Sequence, residues 1–164
     1  MPRPTLEIST SDVPQAPNLA RVRCVVTAIA DGATTLEQIA EETDIASRHV
    51  HYSVRAAQTL GLLDGEKAPT PLGRALLETE QESDEERDVL RQSVEGSEIV
   101  RALAPGLLSA KPPTKRTLGA RIERLSGLSK ATALHRASDL LAWREQILAE
   151  PEPEPEPEPA PTTS

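Results

Sequence analysis

Aromatic side chains are nearly absent from this 164-residue sequence: it has no phenylalanine, one tyrosine and one tryptophan. Any core must be assembled from Leu, Ile, Val and Ala, and cores of that palette are usually helical. The single cysteine, Cys24, excludes a disulfide within the chain. It falls on a hydrophobic helical pattern and reads as a small buried hydrophobe in a reducing compartment. No N-terminal apolar run is long enough for a signal peptide, and none approaches a membrane span, so we expect a cytoplasmic protein with no membrane partner. Three histidines are too few for a convincing metal site. His49 and His51 are two residues apart, which on a helix turns them roughly 200° from each other. A phosphate-cradling glycine loop and a paired cysteine motif are missing, and no Ser, His and acid can be placed in one cleft. The acids of residues 82–88 read as surface charge. The expectation is a protein that is not an enzyme and carries no metal or cofactor.

The formal net charge of −8 is the wrong sign for a nucleic-acid binder, but it is unevenly spread. Residues 78–88 hold seven acids and one arginine, and residues 150–158 add five glutamates. Residues 111–144 reverse the balance, with eight lysines or arginines against Glu123 and Asp139. Screening confines each patch to roughly 8 Å at physiological salt, so such a chain can still present a basic face.

The rest of the chain is organised around residues 35–63, TLEQIAEETDIASRHVHYSVRAAQTLGLL. Leu36, Ile39 and Ala40 form the apolar face of a short helix, Ile45 follows in a tight connection, and Val50, Val54 and Ala57 form the apolar face of a second helix. That is the pattern of a helix-turn-helix, with small Ala40 where the backbones meet and Ile45 plugging the corner. Stepping by three and four along the second helix, the outward stripe reads Arg48, Tyr52, Arg55 and Thr59. A helix that only packs on a core needs the inward stripe alone. One that enters the DNA major groove needs long hydrogen-bonding side chains on the other side. Ordinary solvated surface is the competing reading of Arg48 and Arg55.

Around this stretch, residues 1–17 contain four prolines without helical periodicity and read as a disordered arm. A first helix is expected from its cap Asn18 to about Ala30, with Leu19, Val22, Val26 and Ile29 inward. Thr35 or Thr34 caps the next helix. After Gly61, Leu62 to Asp64 reads as a short strand turning at Gly65 toward Ala68 and Thr70, the place for a β-hairpin wing whose tip offers Lys67 to a phosphate. Thr70 and Pro71 open another helix. Residues 18–80 thus form a winged helix-turn-helix, and residues 81–148 a second helical unit. There Leu118, Ile122 and Leu125 stripe one helix, Leu128 sits in a turn, and Ser129 caps a last helix with Ala133, Ala137, Leu140 and Leu141 inward. Setting Ile45 beside Leu128 aligns Val50 with Ala133 and Val54 with Ala137, so this unit is helix-turn-helix-like. Its outward stripe, Ala131, His135, Ser138 and Ala142, is bland, but Lys130 and Arg136 flank it and suit phosphates. Residues 149–164 alternate Pro and Glu and read as a disordered, extended tail. The fold class expected is mainly α, a winged helix-turn-helix followed by that second unit.

Residues 48–63, RHVHYSVRAAQTLGLL, followed by TPLGRALLE, resemble bacterial winged helix-turn-helix domains, in which the reading helix ends in an LGL step and a T-x-x-G-x-x-L helix follows the wing. LSGLSKATALHRASDLLAW, residues 125–143, resembles the second half of a bacterial two-unit winged-helix module found with restriction endonucleases and other defence-related proteins. Unlike the restriction enzymes, this chain is expected to carry no nuclease domain. The resemblance implies DNA binding or partner docking without chemistry of its own. The first function expected is a nucleoid-associated DNA-binding protein, a transcriptional regulator or accessory protein, acting as a homodimer on double-stranded DNA. Arg48 and Arg55 would meet guanine edges or phosphates, with His51 and Tyr52 beside them, and Ser47, Lys67, Lys130 and Arg136 would meet phosphates. The alternative is a winged-helix protein-interaction module, or an accessory subunit of a separately encoded nuclease or ATPase.

Overall fold

Every helix except the one that opens at Ser47 begins where a side chain takes up N–H groups that the first turn leaves unpaired. Asn18 accepts from the Ala20 and Arg21 N–H groups and opens α1, Leu19–Ala30. Thr35 accepts from Gln38 ahead of α2, Leu36–Thr43. Asp44, in the left-handed conformation, ends α2, and after Ile45 and Ala46 the chain enters α3, Ser47–Thr59. Thr70 caps α4, Pro71–Leu77, and Ser83 caps α5, Asp84–Gly96, whose first turn holds three acids where the helix dipole favours them. Ser97 and Thr114 cap α6, Glu98–Leu103, and α7, Lys115–Ser126. The Ser129 hydroxyl accepts from the Thr132 N–H at the start of α8, Lys130–Leu148. This computed structural model describes residues 8–148; residues 1–7, and residues 149–164 with the Glu-Pro tail, lie outside the described residues.

α1, α2 and α3 pack on one another, α7 lies along α8, and α8 also packs on α5. One cluster of buried side chains runs through all of them, from Val22, Ile39, Val50 and Val54 to Ile122, Ala137, Leu140 and Trp143. Residue 80 is therefore no boundary between separate cores. Polar ties cross it as well. The guanidinium of Arg23 on α1 meets the Glu86 carboxylate and the Thr79 hydroxyl, and the Ser97 hydroxyl donates to the Thr59 carbonyl at 2.8 Å, at the end of α3.

Three expectations need correction. No strand exists among the described residues, so the β-hairpin wing is absent and the fold is all-α. Between Gly61 and Thr70 a single antiparallel bridge joins Leu63 to Pro69. It cannot grow into a ladder, because Pro69 has no N–H to donate and the Asp64 carboxylate pulls the chain into a turn. That carboxylate accepts from the Glu66 N–H at 2.8 Å and the Ala68 N–H at 2.9 Å. The arm is only partly as expected: Ile8, Val13 and Ala16 are buried, and Thr10–Asp12 forms one 3₁₀ turn. Its anchor is polar as well as apolar, since the Trp143 indole N–H donates to the Ala16 carbonyl at 2.7 Å and the Gln146 amide to the Pro17 carbonyl at 2.6 Å. Cys24 is exposed, not buried; Arg23 beside it is the residue turned inward.

Candidate nucleic-acid interface

α3 turns Val50, Ser53, Val54, Ala56 and Ala57 into the core. A helix rotates about 100° per residue, so that inward set commits the opposite side to Ser47, Arg48, His51 and Arg55, all of them exposed. Tyr52, between the two sides, is half-buried, with its ring 5.8 Å from that of His51. Arg48 has no ion pair or hydrogen bond among the described residues. α3 also opens without a side-chain cap, because Ala46 stands at that position. The Ala46 carbonyl takes up the His49 N–H at 2.8 Å, and the Ser47 and Arg48 N–H groups are left to solvent or to an anion.

Arg55 is in a different state. Its guanidinium lies 3.4 Å from the Ser11 carbonyl and 3.8 Å from the Asp12 carboxylate. The arm thus runs across the C-terminal half of the exposed side of α3, and a crevice of about 60 Å³ between them is lined by Asp12, Pro14, His51, Tyr52, Arg55 and Thr59. Further along, Arg21 of α1 joins His49 and Tyr52 around a smaller gap under Pro17.

The remaining sequence-derived sites are dispersed. Lys67 is exposed at the tip of the turn after α3, in a left-handed conformation with φ 64°. That turn is tied to the end of α3 by the Gln58 amide, which donates to the Asp64 carbonyl at 3.1 Å. Lys130 is exposed at the first position of α8. Arg136 is engaged within its own helix, where Nη1 donates to the Asp139 carboxylate at 2.9 Å. Burial pushes the Asp139 carboxyl above the usual carboxylate range, and the hydrogen bond and charge of Arg136 offset only part of that. So the structure collects Ser47, Arg48, His51, Tyr52 and Arg55 on one helix and withdraws Arg136 from an easy phosphate contact.

Sequence reasoning missed Asp12, Ser11 and Arg21. The first two were hidden because proline content marked the arm as unstructured. Its one apolar pair near the site, Val13 and Ala16, was the available signal that the arm has a seat. Arg21 could have been found on the wheel of α1, three residues beyond the cap.

No protein-family model matches this chain, and no curated protein or solved structure matches it. No helix among the described residues is long and apolar enough to cross a membrane.

Proposed function

We propose that this chain binds double-stranded DNA with the exposed side of α3, as a transcriptional regulator or a DNA-binding accessory protein without catalytic activity. The observation that carries this reading is the conjunction at the start of α3. An unpaired Arg48, an exposed His51 and an uncapped set of backbone N–H groups stand together on a helix whose other side is fully committed to the core. Guanidinium and imidazole groups reach base edges, while free N–H groups and Ser47 hold phosphates and set the register. Each good bidentate base contact is worth about 1 to 3 kcal/mol of discrimination. Lys67, beyond the end of α3, adds a phosphate contact without a wing. A homodimer would place two such helices on successive half-sites.

A second reading, a protein-docking module, is favoured by one observation: Arg55 and Tyr52 already face a segment of the chain itself. Binding of a labelled random duplex across a salt series separates the two. DNA binding requires a negative slope of log affinity on log salt, reduced by about one contact in Arg48→Ala. If neither protein binds at low salt, the search moves to protein partners.

A further inference from the structure

We infer that the arm, residues 8–15, is a latch over the candidate reading helix: it covers Tyr52, holds Arg55 through Asp12, and must lift for the full exposed side of α3 to meet DNA. This rests on the DNA-binding reading above and states how that site is regulated.

The two ends of the arm are held differently. Ala16 and Pro17 are fastened from α8 by the Trp143 indole and the Gln146 amide, and the Leu19 N–H returns a bond of 2.9 Å to the Gln146 side-chain oxygen Oε1. Nothing comparable holds the 3₁₀ turn. Its polar contacts with α3 are the long hydrogen bond to the Ser11 carbonyl and the Asp12–Arg55 pair, in which the two side chains keep 30 % and 45 % of their exposure. A pair so hydrated holds weakly. What keeps the turn down is apolar: Ile8 on one side of it and Val13 on the other are both buried. Within the turn, Asp12 does two things. One carboxylate oxygen accepts from the Ser9 N–H at 2.9 Å and from its hydroxyl, while the other faces Arg55. The fastened end acts as a hinge and the turn as the leaf. With the leaf down, a carboxylate sits where a phosphate would approach Arg55, so arm and DNA compete for the same cation and the same helix side. A chain segment tethered beside the site has a high effective concentration and competes well although each of its contacts is weak.

The test uses the full chain and a labelled random duplex at a series of salt concentrations, for the unaltered protein, Asp12→Asn, Ile8→Ser, Arg55→Ala, Asp12→Asn with Arg55→Ala, and Arg48→Ala. Ile8→Ser loosens the leaf without changing charge, so a general electrostatic effect cannot imitate it. Opening the latch frees one cation, which at 0.1 M salt is worth about three- to tenfold in affinity and adds about one contact to the salt slope. Asp12→Asn and Ile8→Ser should each show that gain. The gain from Asp12→Asn should vanish in the Arg55→Ala background. Helical circular dichroism and Trp143 emission should stay unchanged, because the hinge is untouched. In the unaltered protein the Asp12 and Val13 amides should lose hydrogen-exchange protection when duplex is added. If Arg48→Ala weakens binding but neither latch variant tightens it, the latch is wrong and the DNA reading survives. A gain that persists without Arg55, or arm amides that become more protected on DNA, overturns the latch as well. If none of the proteins binds at low salt, the DNA reading fails and the latch with it.

Discussion

At the scale of single residues, the same side-chain type carries different duties according to what lies within about 4 Å of it. Arg48 is unpartnered, Arg55 faces a carboxylate in half-exposed surroundings, Arg136 neutralises a buried one, and Arg23 is itself buried. Helical position announced that Arg48 and Arg55 face outward, but not the Asp12 partner of Arg55 or the burial of Arg23, which come from tertiary packing; Arg136 meets a partner three residues along its own helix. Cys24 shows the opposite error. Residue type and the hydrophobic run around it pointed inward, but at about 100° per residue it stands roughly 200° from the buried Val22, and it is exposed. Asp139 supports a prediction at this scale. Folding raises its pKa, chiefly by desolvation, so the folded state binds its proton more readily than the unfolded one. Its contribution to stability therefore falls as pH rises from the ordinary carboxylate range through the raised value, and returns as pH is lowered. Asp139→Asn, which cannot ionise and still accepts from Arg136, should unfold at or above the wild-type urea midpoint at pH 7. That advantage should shrink at pH 4.5. A difference independent of pH would mean that Asp139 titrates as an ordinary carboxylate.

At the scale of elements, caps were the most legible feature. Asn18, Thr70 and Ser129, and Thr35 of the pair Thr34 and Thr35, were placed from side-chain chemistry and spacing, and each accepts the N–H bonds of its helix. The wing was not legible, because a Gly-containing stretch between apolar residues serves a hairpin or a turn equally well. Asp64 decided for the turn through two bonds to its own loop, which no alternation of hydropathy encodes. The turn packs tightly on α4, where a Cβ at Gly73 would lie 2.1 Å from the Leu62 carbonyl oxygen. Gly73→Ala must drive α4 off the turn and should cost about 1 to 3 kcal/mol in urea unfolding. Gly96, the last residue of α5, has nothing within 4 Å of the same added atom, and Gly96→Ala should be neutral or stabilise by up to about 1 kcal/mol. Equal effects at the two glycines would contradict the close approach at Leu62.

At the scale of the whole molecule, the internal echo between residues 36–57 and 118–140 suggested two stacked units, yet the buried side chains make one cluster. The sequence pattern described each half's inward face correctly and was silent on what those faces meet, which is decided by contacts between residues far apart in the chain. Arg23 and Glu86 are the sharpest case: a buried guanidinium on α1 whose carboxylate partner comes from α5, with side-chain exposures of 10 % and 15 %. Removing one member of such a pair leaves a charge without its counterion in a poorly solvated place. Glu86→Ala should therefore destabilise the protein by about 3 kcal/mol, at the low end for a buried pair because Thr79 still accepts from Arg23. The loss should be felt equally in both halves. Far-UV circular dichroism averages over every helix, whereas Trp143 emission reports α8 and the arm that it holds. With one shared core, the two signals should follow a single urea transition in the unaltered protein and shift together in Glu86→Ala. If Trp143 instead kept its wild-type midpoint while the ellipticity transition moved down, residues 81–148 would hold their structure without residues 18–80, and the tie through Arg23 would be a contact between two bodies.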